Sequence, residues 1–143
     1  YDKVDIVFVA YESQAYEVDE KSFFERGSSG GTIASTGIKM VNDIIDSRYH
    51  PSSWNIYTFH ASDGDNWPTD NDNVKEAIDA SLHKMQFYGY CEIEPSQERL
   101  AWLRDSSLGA LFSDMSNDKL KTATIASKED IWGAFNSFFK GEV

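Results

Sequence analysis

Ile6-Val-Phe-Val-Ala-Tyr11 is apolar at every position. A strand with one wet face alternates, so an unbroken run of this kind needs cover on both faces and reads, over Asp5 to Tyr11, as a central strand of a parallel sheet. The residues that follow supply the alternation such a sheet requires. A short extended piece is expected at Ala15 to Val18, then a helical turn through Phe23 and Phe24 capped by Asp19. Gly27-Ser-Ser-Gly-Gly31 is a flexible turn opening into a helix in which Ala34, Ile38, Val41 and Ile45 share one face, ending near Tyr49 before Pro51. Trp54 to Ala61 reads as strand, Ser62-Asp-Gly-Asp-Asn-Trp67 as loop, and Asn71 to Lys84 as helix. Phe87 to Ile93 and Lys121 to Ala126 read as further strands, Gln97 to Asp105 and Glu129 to Phe139 as helices. Ser127, with Asp130 three residues on, forms an approximate capping box. The alternation predicts an α/β fold, a mostly parallel central sheet with helices on both faces, in one domain over residues 1–143.

Composition limits the partners. A chain of 143 residues that is 41% hydrophobic can build one compact core and is too short for two. The formal charge of −11 and a pI near 4.5 repel nucleic-acid phosphates and anionic lipid, and the few Lys and Arg are scattered. Neither nucleic acid nor a membrane is expected as partner; a cation or a basic protein surface is electrostatically easier. The single cysteine, Cys91, forms no internal disulfide, and the start lacks the pattern of a signal peptide, so a cytoplasmic setting is expected. Cys91 alternates within a strand and reads as an inert, buried thiol. Trp54, Trp67, Trp102 and Trp132 could serve as anchors of an interface, but in a chain this rich in aromatics most are expected in the core, and His60 is expected in a strand with a core or rim role. Asp70-Asn-Asp-Asn73 reads as a solvated helix start favoured by the helix dipole.

Ligands of open parallel sheets collect at the loops leaving the C-terminal ends of the strands. Two such loops stand out here: Gly30-Gly-Thr32 at a helix N-terminus, and Ser62-Asp-Gly-Asp65 after a strand. Thr32 offers a hydroxyl, Asp63 and Asp65 carboxylates, all hard oxygen donors suited to Mg²⁺. Singly, each has an ordinary reading, Thr32 as an N-cap and Asp63 as a turn residue.

Together the two loops resemble the cation site of the von Willebrand factor A fold, with Thr32 and Asp63 similar to its later Thr and to the Asp of its Thr/Ser-Asp-Gly turn. More narrowly, Ser29-Gly-Gly-Thr32, Trp54-Asn-Ile-Tyr57 and Ala61-Ser-Asp-Gly-Asp-Asn-Trp67 are similar to blocks of the YeaH/YhbH family. So are Glu17-Val-Asp-Glu20 with Phe23-Phe24, Tyr88-Gly-Tyr-Cys-Glu92 and Ser137-Phe-Phe-Lys140. The chain departs from the family at Tyr11-Glu-Ser13, where members usually carry His-His-Thr, and it contains no Asp-x-Ser-x-Ser. The resemblance therefore implies a von Willebrand factor A-like domain incomplete at its N-terminus. It implies a non-catalytic protein-binding module in bacterial sporulation or stress response, acting with a PrkA-type serine protein kinase or a SpoVR-type protein. It implies Mg²⁺ in the intact domain, with binding by this chain expected to be weak or absent. A sheet lacking its first strand would leave unpaired edges, from which a homo-oligomer is expected.

An enzymatic alternative rests on the same residues. Asp63-Gly-Asp65 after an apolar strand also looks like the nucleophile motif of a Mg-dependent phosphatase of haloacid dehalogenase type. That motif wants Thr or Val where Trp67 stands, and neither Glu92-Ile-Glu94 nor Asp130 is well placed as its later acidic pair. Other motifs fail earlier. Trp67 and Pro68 stand where a calcium loop starting at Asp63 needs a donor and a glycine, and the glycine run lacks the Gly-Lys-Ser/Thr of a phosphate loop. His50, His60 and His83 have no zinc-like spacing.

Overall fold

The computed structural model describes residues 2–25, 32–93, 108–115 and 117–140. Its elements in chain order are β1 (Phe8–Tyr11), β2 (Ala15–Val18), α1 (Glu20–Glu25), α2 (Ala34–Arg48), β3 (Tyr57–Ser62), α3 (Asn71–Ser81), β4 (Phe87–Ile93), α4 (Leu108–Asp114), β5 (Leu120–Ile125) and α5 (Asp130–Phe138). Short 3-10 turns, Pro68–Asp70 and Leu82–Lys84, precede and follow α3.

The strands β3, β4 and β5 form a parallel sheet in that order, with His60 opposite Tyr90 and Ser62 opposite Glu92. Successive side chains of β4 point to opposite faces, and both faces are covered. Tyr88 and Tyr90 join a core with Ile38 of α2, Val74 and Ile78 of α3, and Leu108 and Phe112 of α4. On the other face Phe87 packs against Phe138 of α5, ring centroids 6.1 Å apart. Gly89 makes this approach possible, since a Cβ there would stand 3.0 Å from the Phe138 ring.

The apolar run at the start behaves differently from its expectation. It is not a central parallel strand: Phe8–Tyr11 pairs antiparallel with Ala15–Val18 in a separate two-stranded sheet, and Val4 and Ile6 are exposed. Consecutive apolar residues report only that cover is available on both faces, and here partial cover comes from elements other than a second parallel strand. Phe8 packs against Phe23 and Phe24 of α1, tilted on the first with ring centroids 5.1 Å apart and edge-on to the second at 6.1 Å, and the Tyr11 side chain lies against Gly37 of α2. The chain reverses through Glu12–Gln14, where the Glu12 N–H donates to the Gln14 carbonyl at 2.8 Å.

Elsewhere local signals hold. The Asp19 carboxylate accepts the Ser22 N–H at 2.7 Å at the start of α1. Ala34, Ile38 and Ile45 of α2 are buried and Val41 packs against the same core. Asp130 Oδ2 reaches back to the N–H groups of Ala126 and Ser127, both at 3.0 Å, which is the reach-back half of a capping box; the Ser127 hydroxyl bonds that carboxylate instead of the backbone. The tryptophans do not fill the core: Trp67 and Trp132 are 58% and 69% exposed, and Trp54 is half-buried. Trp102 and the helix expected over Gln97 to Asp105 lie outside the described residues.

Candidate functional site

The loop after β3 is built by its own short-range hydrogen bonds and then folds over the start of α2. Ser62 Oγ accepts the Gly64 N–H at 2.9 Å, and Asp63 Oδ1 accepts the Asp65 N–H at 3.0 Å. Gly64 has φ of 89°, a left-handed conformation that side chains disfavour, and its carbonyl accepts the Leu108 N–H at 3.0 Å. The loop is thereby tied to the first residue of α4.

Beyond Asp65 the loop caps α2. The first N–H groups of a helix lack partners within it, and polar side chains or anions satisfy them. Asn66 Oδ1 accepts the Ala34 N–H at 2.9 Å, and Asp70 accepts the Ser35 N–H at 3.0 Å and the Ser35 hydroxyl at 2.5 Å. The Trp67 N–H donates to the Thr32 carbonyl at 3.3 Å. Asp70 is therefore not part of a solvated helix start: it is buried, and the helix it serves is α2 rather than the one that follows it. Thr32 likewise is not the N-cap of α2; Ile33 holds that position and contributes no side-chain cap.

The structure thus brings the Thr32 segment and the Asp63–Asp65 loop to one edge, with Thr32 half-buried and both aspartates exposed. Their oxygens are chemically suited to Mg²⁺, but they supply fewer than the six it prefers. Among the described residues, His, Cys, Asp and Glu side chains do not gather in a group of three or more able to hold a metal.

Beneath this edge runs a polar seam that sequence reasoning missed. His60 is buried between two tyrosines, Nε2 at 2.7 Å from the Tyr11 hydroxyl and Nδ1 at 2.7 Å from the Tyr88 hydroxyl. Burial pushes the imidazole pKa down to about 4 and the Tyr88 phenol well above its usual range. Burial also raises Tyr11 to about 12; the Ser62 hydroxyl opposes this, and the charges of Asp63 and Asp70 add to it. Ser62 Oγ and the Tyr90 hydroxyl lie 3.1 Å apart, and Tyr90 donates to Glu92 Oε1 at 3.1 Å. The same Glu92 oxygen accepts the Gly109 N–H at 3.0 Å. Burial raises the Tyr90 phenol and the half-buried Cys91 thiol. The signal that could have found this seam is periodicity: His60 and Ser62 on one strand, and Tyr88, Tyr90 and Glu92 on its neighbour, are polar-tipped at alternate positions, so each set shares a face.

The profile of a family described as proteins of unknown function, DUF444, matches residues 1–142. A UPF0229 protein of Pseudomonas syringae pv. syringae is 36% identical over 141 residues, covering 98% of this chain and 32% of the relative. A UPF0229 protein of Bacillus cereus is 35% identical over 142 residues, 99% of this chain and 35% of the relative. One from Ruminiclostridium cellulolyticum is 38% identical over 136 residues, 92% and 32%. The chain spans about a third of the length of these curated relatives. No solved structure matches it. No helix among the described residues is long and apolar enough to cross a membrane. With a family profile matched from end to end and relatives at this level of identity, the chain belongs to the DUF444, or UPF0229, family, for which YeaH/YhbH is another name.

Proposed function

We propose that this chain is part of a von Willebrand factor A-like, non-catalytic protein-binding module with a partial metal-ion-dependent adhesion-type site at Thr32, Asp63 and Asp65. The observation that carries this reading is the docking of the loop after β3 onto the start of α2, through Trp67 on Thr32, Asn66 on Ala34 and Asp70 on Ser35. That docking lays the loop that carries Asp63 and Asp65 beside the Thr32 segment at the C-terminal end of a parallel strand, where open sheets bind ligands, and this supports the reading.

The division of the strands supports the fold reading. Among the described residues β1 pairs only with β2, and β3 only with β4, so each keeps one unpaired edge. A further strand between β1 and β3, drawn from the longer polypeptide, would join both sheets into one of von Willebrand factor A type. Mg²⁺ held at Thr32 and Asp63 would offer a charged position to a partner's carboxylate. The partner implied by the family resemblance is a PrkA-type serine protein kinase or a SpoVR-type protein, met in the cytoplasm during sporulation or stress. Fold likeness alone does not give function, so the binding role stands on the site and its test.

Calorimetric titration of Mg²⁺ into the chain is expected to give weak binding, on the order of millimolar or worse, that disappears in Asp63→Ala. Micromolar affinity would overturn the partial-site reading. Capture of the kinase by the full-length protein should require Mg²⁺ and fail with Asp63→Ala. Mg²⁺-dependent hydrolysis of p-nitrophenyl phosphate, lost in Asp63→Asn, would replace the binding role with the phosphatase alternative.

A further inference from the structure

The two faces of the parallel sheet are covered unequally. Residues of α2, α3 and α4 pack on the face that carries Tyr88 and Tyr90, and the other face is met by α5, whose Phe138 lies against Phe87 and Gly89. Helices pack about 8–10 Å apart and strands about 4.8 Å, so one helix covers about two strands. With α5 over β5 and β4, the next helix position on that face falls over β3. The sequence of β3 is patterned for a neighbour there. Its side chains alternate, with Tyr57, Phe59 and Ala61 exposed and Thr58, His60 and Ser62 turned toward the core, the reverse of a strand with one wet face. The helix gives the same signal. Ala134 and Phe138 are buried, Ile131, Trp132 and Phe135 are exposed, and a helix apolar all round belongs inside a structure. Phe59 on Phe135 and Phe135 on Trp132, both stacked, join the floor over β3 to the side of α5. The six residues of β3 span about 20 Å, the length of about 13 residues of helix.

Charge selects the occupant. The formal charge of −11 opposes a second copy and draws in a basic segment. The preference is also local. Phe138, at the end of α5, packs on Phe87, the first residue of β4, so α5 runs back along the sheet and begins where the strands finish. Glu129 and Asp130 are exposed at that end, beside Lys128, and the loop bearing Asp63 and Asp65 leaves β3 there too. We propose that the face made by β3 and α5 is a docking site for a basic amphipathic helix of a partner protein, seated beside α5 with its apolar stripe on Tyr57, Phe59 and Trp132 and its basic residues toward Glu129 and Asp130. Recognition of a helix by an apolar face uses side-chain burial and needs no metal. The site is separate from the loop edge at Thr32 and does not depend on a cation at Asp63.

The probe is a synthetic peptide of about 18 residues, long enough to hold a helix, with leucines in one stripe and lysines elsewhere. Fluorescence anisotropy with the 143-residue chain, in EDTA and at low salt, should show saturable binding at least about tenfold tighter than that of two controls. One control has the same composition with the stripe scrambled, the other glutamate for each lysine. Added salt should weaken the binding. Trp132→Ala should weaken it severalfold, since that ring is largely in water and is lost at little cost to the fold, while Phe24→Ala, an exposed aromatic of α1, should leave it unchanged. A benzophenone in the leucine stripe should cross-link to residues of β3 and α5 in the unmodified chain, which tests the site without any variant. Absence of binding overturns the proposal. Equal binding of the scrambled peptide would mean that charge alone holds it, and equal binding of the glutamate peptide that basic residues are not selected; either overturns it. So does cross-linking outside β3 and α5. Self-association of the chain that persists in saturating peptide would make a second copy the occupant, and that overturns it as well.

Discussion

Asp70 holds Ser35 by both of its hydrogen-bond donors: one carboxylate oxygen accepts the backbone N–H at 3.0 Å, the other the hydroxyl at 2.5 Å. The two residues are 35 positions apart, and the bonds fasten the loop after β3 to the first turn of α2. Both side chains are buried, so losing the carboxylate strands two donors away from water. Asp70→Ala should cost about 2–3 kcal/mol in urea unfolding, combining a lost helix cap with the unsatisfied donors. Asp70→Asn, which keeps one acceptor, should cost about 1 kcal/mol. A double-mutant cycle with Ser35→Ala should show a coupling well above the few tenths of a kcal/mol expected for independent sites. Additive effects would mean that the pair is not what fastens the loop.

Two helical glycines should respond in opposite directions to the same change. In α5, a Cβ on Gly133 meets nothing within 4 Å, so Gly133→Ala should stabilise by about 0.5–1 kcal/mol through helix propensity alone. In α2, a Cβ on Gly37 would stand 2.7 Å from Tyr11 Cδ1 and 3.0 Å from its Cγ. The ring cannot retreat without disturbing the Tyr11 bond to His60. Overpacking costs about 1–3 kcal/mol and outweighs the gain in propensity, so Gly37→Ala should lower stability. Thermal unfolding of the two variants beside the parent decides both signs.

What the sequence reveals of this architecture follows from how local each signal is. The face shared by Ala34, Ile38 and Ile45 in α2 and the Asp19 cap of α1 are set by neighbours within a few residues, and they appear as read. The partner of the Phe8–Tyr11 strand is not legible, because apolar content says how much cover a strand has and nothing of which strand pairs with it. The helix that Asp70 serves is hidden for a related reason. An acidic residue next to a helix start invites the local capping role, while its actual partner, Ser35, is near only after the chain has folded. Thr32 and Asp63 were legible as loop residues at one end of a sheet, and the docking through Asn66 and Trp67 was not.

Stability should fall with acid over a window set by His60. Its pKa is lowered from 6.5 to about 4 in the fold, so between those values the unfolded chain binds a proton that the folded chain refuses. The contribution is fully present above about pH 6.5, is lost as pH falls toward about 4, and amounts to roughly 3 kcal/mol. Carboxylates titrate in the same range, so the informative quantity is the difference from His60→Gln, whose stability should fall less over that window. The sign reverses at high pH. Tyr11 is raised from 10.0 to about 12, which favours the folded, protonated phenol below pH 10 and loses that support as pH climbs toward 12. Tyrosinate absorbance from Tyr11, Tyr88 and Tyr90 should therefore appear together with alkaline unfolding rather than before it.

The outer face of β3 and the exposed side of α5 form a continuous aromatic surface, and we expect it to drive association of the isolated chain. Phe59, Phe135 and Trp132 are 54%, 42% and 69% exposed, with Phe59 on Phe135 at 6.2 Å and Phe135 on Trp132 at 5.8 Å. It flanks the β3 edge, and among the described residues that strand pairs only with β4. An apolar patch beside an open strand edge is a template for a second copy. The formal charge of −11 works against that approach. Salt screens such repulsion over about 8 Å at physiological ionic strength and barely affects apolar burial. Association should therefore be weak at low salt and increase as salt is added, the reverse of an interface held by ion pairs. Light scattering at micromolar concentration should show growth in mass with salt, suppressed in Trp132→Lys, whose ring is largely in water and can be lost with little effect on the fold. A monodisperse monomer at every salt concentration, or a Trp132→Lys chain that associates as the parent does, would remove this surface as the cause.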